Sequence, residues 1–325
     1  MNSKFSKVQL LGFYEVMYRT RRFEEEVFEF YKKGMMPGLA HLYLGEEAIA
    51  AGVCAALDET DYIGSSHRGH GHLVARGARL DRMMAEILGK KDGYCKGKGG
   101  SMHILAMDKG ILGANGIVGG GIPIATGAAY AAKYKGTKQV AVSFFGDAAS
   151  NEGTFHESVN MAAAWQLPVI YVIENNLYGI SVDIRDVTNT ENLADRAKAY
   201  GIPGTVVDGM DVVAVFEAAS KAVKRARDGK GPTIIECKSY RWQGHHVGDP
   251  GEYRSRRNKD EKEQWMKRCP VKNYRARLLS ESDAVDESDV VGIENAVEEE
   301  IKYAVRFAVD SPYPDAKDAF TDVFV

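Results

Sequence analysis

A chain of 325 residues with 45% hydrophobic and 27% charged residues has the length and apolar content for a sizeable core, which excludes intrinsic disorder. With 42 Lys+Arg against 45 Asp+Glu, the net charge of -3 gives no electrostatic footprint for nucleic acid, and no polyanion partner is expected. Apolar stretches such as Ile49 to Leu57 fall well short of the roughly 20 residues a membrane span needs, so no membrane association is expected either.

In chain order, Met1 to Leu10 shows no signal-peptide pattern, and Cys54, Cys95, Cys237 and Cys269 are too scattered to frame zinc or disulfides; a reducing cytoplasm is the expected compartment. Apolar residues from Phe13 to Tyr31 recur at three- or four-residue spacing, which predicts one long amphipathic helix ending at Gly34. Glu46 to Leu57 is rich in Ala and Gly and predicts a tightly packed helix, followed by an extended segment Asp61 to Ser66 and a turn through His67, His70 and His72. Zinc is disfavoured at that turn, because no Cys or acidic ligand follows at conventional spacing. Asp81 to Leu88 predicts a short helix and Gly93 to Gly116 a long functional loop. That loop is not a phosphate-binding P-loop: Gly93 to Gly97 is one residue short, and Gly99 stands where the hydroxyl residue belongs. Gly121 to Tyr134 predicts an alanine-rich helix opened by Pro123.

The clearest unit is strand Val140 to Phe145, helix Thr154 to Trp165 and strand Val169 to Glu174. Strands Thr205 to Val207 and Thr233 to Lys238, flanking helix Val212 to Arg227, repeat the alternation and predict an α/β fold with a doubly wound parallel sheet. The expected boundaries are an N-terminal helical segment 1–45, an α/β domain 46–248 and a charged helical extension 249–325.

Ligands of parallel sheets bind at the carboxyl ends of the strands. Asp147 follows one strand and Asn176, after 28 intervening residues, follows the next; a right-handed crossover brings both to one edge. One carboxylate and one amide oxygen suit Mg²⁺ or Ca²⁺ completed by phosphate oxygens. Strand-end Asp and Asn are also ordinary turn residues, so these two alone leave both readings open.

Further blocks narrow the choice: His41-Leu42-Tyr43-x-Gly45-x-Glu47-Ala48, Lys96 to His103, Gly116-Ile117-Val118-Gly119, Gly146-Asp147-Ala148, Glu174-Asn175-Asn176-x-Tyr178-Gly179, and Gly244-His245 before Asp249-Pro250. With them the chain resembles, over nearly its whole length, the alpha subunit of the decarboxylating first component of 2-oxo acid dehydrogenase complexes. His67-Arg68-Gly69-His70-Gly71-His72, Phe144 to Asp147, Thr154 to Glu157 and the tail Ser311-Pro312-Tyr313-Pro314 look more like the acetoin dehydrogenase type than the pyruvate type. The resemblance implies a thiamine diphosphate-binding fold of the diphosphate-binding kind, with thiamine diphosphate and Mg²⁺ as cofactors. It places Asp147, Asn176 and the Tyr178 carbonyl on the metal, Ala148 and Ala149 beside the diphosphate, and Gly116 and Val118 at the aminopyrimidine. It puts His41, His67, Arg68 and His245 around the thiazolium and diphosphate, with His67 and His245 as the catalytic candidates. Arg68 would offer its planar fork to phosphate, and His245 a proton at either protonation state.

The implied activity is cleavage of acetoin with transfer of the two-carbon unit to a lipoyl group. The alternatives are pyruvate or a branched 2-oxo acid on the same machinery, or a non-catalytic scaffold of the same fold. Implied partners are a beta subunit in an alpha2-beta2 heterotetramer, a lipoyl-bearing acyltransferase component and a small-molecule substrate. The N-terminal helix and the small-residue helices at Ala48 to Ala56 and Gly127 to Ala132 are the expected partner-facing surfaces. Ala148 stands where the signature usually carries Gly, which matters only if that position needs positive φ.

Overall fold

The computed structural model describes residues 5–256, 259–282 and 284–322. Helix α1 (Lys7–Lys32) starts at a reciprocal cap: Gln9 N–H donates to the Ser6 hydroxyl at 3.2 Å and Ser6 N–H to the Gln9 side chain at 3.3 Å. There follow α2 (Glu47–Ala55), β1 (Tyr62–Gly64), α3 (His70–Ala75), α4 (Leu80–Ile87), α5 (Gly121–Tyr134), β2 (Ala141–Gly146), α6 (Gly153–Ala164) and β3 (Val169–Asn175). A two-residue hairpin, β4 (Tyr178–Gly179) and β5 (Val182–Asp183), leads through α7 (Ile184–Val187) to β6 (Gly204–Asp208), α8 (Val212–Arg227) and β7 (Thr233–Lys238). The chain closes with α9 (Glu261–Met266), α10 (Pro270–Glu281) and α11 (Glu287–Asp310). No helix of the described residues is long and apolar enough to cross a membrane.

The main sheet is parallel throughout, in the order β1-β2-β3-β7-β6. Its central strands read as continuous apolar runs because both faces are covered. Val142, Phe144, Ile170, Val172, Ile235 and Cys237 face a core shared with α8 and the helices before β1, whereas Ala141, Phe145, Val169, Tyr171, Ile173 and Ile234 face one shared with α5 and α6. Fully burying one such Val, Ile or Phe contributes about 1.5–3 kcal/mol. Asp211 caps α8 by accepting from Val213 N–H at 2.9 Å, and Lys224, Arg225 and Arg227 complement the dipole in its last turn.

Three expectations need correction. The stretch from His70 is not a turn but the first turn of α3, and its rings are buried: His70 Nδ1 lies 3.0 Å from Glu24 and His72 Nε2 2.9 Å from Glu174. The aromatic face of α1 does not await a partner. Phe13, Tyr14 and Met17 pack on α10 and α11 within the chain, and Phe23, Val27 and Phe30 enter the main core. The small residues of α2 also serve internal contact. A Cβ on Gly52 would lie 2.8 Å from Val215 of α8, so the two helices approach too closely for any larger residue. Of the three expected partner surfaces, only α5 keeps an open face, with Ile124 49%, Tyr130 47% and Tyr134 82% exposed.

Candidate active site

Register decides where the site lies. Gly146 of β2 pairs with Glu174 of β3, so the two strands end level and Asp147 and Asn176 emerge side by side. Around them opens a cleft with a cavity volume of about 250 Å³. Its walls are Ser65 to Arg68 after β1, Phe144 to Ala149 at the end of β2, Glu174 in the last residues of β3 with Asn176 and Tyr178 to Ile180 beyond it, Ile117 to Gly119 before α5, and Arg241 and His245 after β7. Of the residues singled out in the sequence, His67, Arg68, Val118, Asp147, Ala148, Ala149, Asn176, Tyr178 and His245 line it. His41 does not, but its ring lies 4.8 Å from that of His67 and 4.7 Å from that of His245. Gly116 is also absent from the wall. It packs on His103, whose ring would be 3.2 Å from a Cβ there.

On one side the donors are oxygens. Asp147 is buried, its Oδ2 has no hydrogen-bond partner, and burial pushes its carboxyl up to about 6. Asn176 donates from Nδ2 to Glu46 Oε1 at 2.7 Å, which assigns its other amide atom, the oxygen, to the remaining contacts. The hairpin turn presents the Tyr178 carbonyl between Leu177 and Ile180, both left-handed at φ 74° and 55°. That conformation costs a β-branched Ile about 1–2 kcal/mol and marks a segment held by its surroundings. Arg241 does the holding, donating to the carbonyls of Tyr178 at 3.1 Å and Ile180 at 2.7 Å.

On the other side the donors are nitrogens. Arg68 is buried and donates to the Leu42 carbonyl at 2.6 Å and the His245 carbonyl at 3.0 Å. The fork expected to grip phosphate thus ties two loops together and adds its charge to the wall. Burial first, and the charge of Arg68 second, lower His41 to about 2 and His67 and His245 to about 3, so all three rings are neutral at pH 7.

Sequence reasoning missed Glu46, Glu174 and Arg241. Burial drives the Glu46 carboxyl up to about 8, against the pull of Arg68. Glu174 meets Tyr43 Oη and His72, and His72 Nδ1 meets Ser65 Oγ at 2.8 Å. The one signal was acidic residues within apolar runs, Glu46-Glu47 and Glu174, which burial makes expensive unless paired. Around the cleft His41 Nδ1, Glu46 Oε2, Asp147 Oδ2, Arg241 Nε and His245 Nδ1 are buried without a protein partner. Each such atom costs about 1–3 kcal/mol unless a ligand meets it. Oxygen donors at one end and nitrogen donors at the other fit a metal-bridged diphosphate group.

The family model described as dehydrogenase E1 component matches residues 15–317. The chain belongs to the dehydrogenase E1 component family. Among its relatives, the alpha subunit of acetoin:2,6-dichlorophenolindophenol oxidoreductase from Bacillus subtilis (strain 168) is 52% identical, covering 97% of this chain and 93% of that one. The subunit of the same name from Cupriavidus necator is 46% identical over 98% and 95%. The pyruvate dehydrogenase E1 component subunit alpha of Rhizobium meliloti (strain 1021) is 40% identical over 99% and 92%. This E1 chain is therefore an oxidoreductase subunit similar along its length to alpha subunits of both kinds.

In this E1 chain Ala148 opens a short 3-10 turn (Ala148–Asn151), and it is not among the positive-φ residues. Gly is therefore not required there. Ala148→Gly is expected to destabilise by about 0.4–1 kcal/mol through unfolded-state entropy, with cofactor affinity unchanged, read by thermal unfolding and calorimetry. The constraint sits instead on its neighbour: a Cβ on Gly179 would lie 2.7 Å from the Cβ of Ala148. Gly179→Ala is expected to cost about 1–3 kcal/mol by overpacking and to be rescued by Ala148→Gly, a double-mutant cycle that reads the contact directly.

Proposed function

We propose that this chain is the alpha subunit of a thiamine diphosphate- and Mg²⁺-dependent E1 component that cleaves acetoin and passes the two-carbon unit to a lipoyl group. The observation that supports it most is the level ending of β2 and β3, which sets Asp147, with its unpartnered Oδ2, beside Asn176 and the Tyr178 carbonyl. Asp147, Asn176 and the Tyr178 carbonyl would hold Mg²⁺, which takes one or two carboxylates and keeps places for phosphate oxygens. The α/β domain 46–248 would carry the diphosphate end, with 249–325 as a helical extension. When bound, the cofactor supplies the electron sink for carbon–carbon cleavage.

The protein residues bind, orient and move protons. Arg241 fixes the Tyr178 turn, Glu46 fixes the Asn176 amide, and Arg68 sets the His245 loop by its hydrogen bond to that carbonyl. His245, neutral at pH 7, takes or returns a proton at its unpartnered Nδ1, with His67 beside it at 5.3 Å between ring centroids. The buried Phe144 makes one wall of the cleft apolar and so strengthens these electrostatics.

Acetoin has no carboxylate, and the cations of the cleft are engaged elsewhere. The terminal nitrogens of Arg68 bond carbonyls, and those of Arg241 bond two carbonyls and the Tyr253 hydroxyl. A 2-oxo acid carboxylate would have to compete with these loop bonds for either guanidinium, although Arg241 Nε itself has no protein partner. Reconstituted with a beta subunit and a lipoyl-bearing acyltransferase, the enzyme is expected to favour acetoin over pyruvate and branched 2-oxo acids by about a hundredfold or more in kcat/KM. Equal or better turnover of pyruvate would replace acetoin by pyruvate as the substrate.

A further inference from the structure

His41, His67 and His245 come from three separate loops, after α1, after β1 and after β7, yet each offers a ring nitrogen within 4.8 Å of the other two. The ring centroids of the three pairs are 4.7, 4.8 and 5.3 Å apart. Nδ1 of His41 and Nδ1 of His245 are buried with no protein partner. The other histidines of the motif are already engaged, His70 by Glu24 and His72 by Glu174 and Ser65. The cluster is thus a set of imidazoles whose rings make no hydrogen bond to the described residues, converging from three directions in the cofactor-free chain, the form in which histidine binds metal.

We propose that His41, His67 and His245 form a nitrogen-donor site for Zn²⁺ or a similar late first-row divalent ion, separate from the oxygen site at Asp147. Three imidazoles with a fourth position open to water is a coordination zinc adopts. Zn–N bonds of about 2.0–2.1 Å require the rings to close inward from their present spacing, which side chains on loops can do. Mg²⁺ does not compete, since it is a hard ion that selects oxygen, while imidazole suits zinc, copper and nickel. Two guanidiniums, Arg68 and Arg241, stand near enough to depress the His245 ring. They oppose a dication, so the site binds reversibly and less tightly than a closed structural zinc centre. Asp249 offsets part of that repulsion through its hydrogen bond from His245 N–H at 2.5 Å. An ion held there takes the lone pairs that this end of the cleft offers to any other ligand, so the chain is zinc-sensitive. The site depends on these three rings alone and is a property of the cofactor-free chain, since a ligand that reaches the nitrogen end of the cleft competes with the ion.

The test titrates the metal-free full-length chain with Zn²⁺ in a calorimeter and with Co²⁺ followed by visible absorption. One ion per chain is expected, with the intense d–d bands of four-coordinate Co²⁺. Loss of one of three protein ligands in His41→Gln, His67→Gln or His245→Gln is expected to weaken Zn²⁺ binding at least about tenfold, or 1.4 kcal/mol. His156→Gln, at an exposed position on α6, should leave it unchanged. Thermal unfolding without metal checks that each variant folds, and His67→Tyr replaces His67→Gln if the amide does not support the loop. No stoichiometric site, or affinity that survives all three ligand substitutions, overturns the proposal.

Discussion

Asp147→Ala is expected to weaken Mg²⁺-dependent binding of thiamine diphosphate at least about a hundredfold, or 2.7 kcal/mol, in calorimetry. The oxygen set has one carboxylate, and the variant removes it, leaving an amide and a carbonyl against a strongly hydrated ion. The fold should not suffer. Burial raises this carboxyl from 3.8 to about 6, so in the metal-free chain its ionised form is a burden on the folded state. That burden is absent below the unfolded value, grows as pH rises between 3.8 and about 6, and is complete above. The metal-free Ala variant should therefore unfold at the same or higher temperature than the wild type at pH 7, with the difference vanishing near pH 4. Wild-type cofactor affinity in Asp147→Ala would remove the metal assignment. A destabilised variant would instead show that Asp147 holds the β2 end together.

The isolated chain is expected to be inactive, with no measurable exchange of the thiazolium proton above the uncatalysed rate, and full activity is expected only with a beta subunit. Among the described residues the chain supplies one parallel sheet, with the cleft at its strand ends. Nothing in that cleft's wall supplies a second α/β domain to enclose the far end of the cofactor. The open face of α5 is where a partner would complete it. Ile117 and Val118, 73% and 47% exposed, precede α5 at the cleft mouth, and on α5 the exposed Tyr130 packs on Tyr134 at 6.2 Å and on Trp165 at 5.7 Å. An exposed aromatic cluster of this kind is what interface cores are made of. Tyr130→Asp should weaken assembly by about 2 kcal/mol or more, the scale of an aromatic hot spot. The chain's own unfolding temperature should hardly move, since Tyr130 is half exposed. Mass photometry reads the first effect and calorimetry the second. Proton exchange at the full rate in the isolated chain would defeat the two-chain arrangement outright.

The sequence by itself determined the parallel α/β class, because each central strand is an apolar run long enough to be buried on both faces, and the helices alternate with them, α8 with its own Asp211 cap. It also determined that Asp147 and Asn176 meet. Asp147 and Asn176 sit one crossover apart, and a right-handed crossover between adjacent parallel strands places them at one edge whatever the rest of the chain does. What only the tertiary structure decided depends on which distant surfaces meet. The aromatic face of α1 reads alike whether its cover is a partner or the same chain; Tyr14 bonding Glu294 at 2.5 Å and Tyr18 bonding Glu298 at 2.9 Å show that the cover is α11, some 280 residues away. The fate of Arg68 was settled in the same way, since its fork matches phosphate and peptide carbonyls equally well and the Leu42 and His245 loops arrived first. His67, His70 and His72 look equivalent in the sequence, all within one stretch of six residues. The onset of α3 divides them: His70 and His72 turn into the core onto Glu24 and Glu174, while His67 stays on the loop and joins His41 and His245. Local periodicity fixes which face of an element is apolar, but partner choice across the fold is set by packing and charge pairing between segments far apart in the chain, and no local pattern records it.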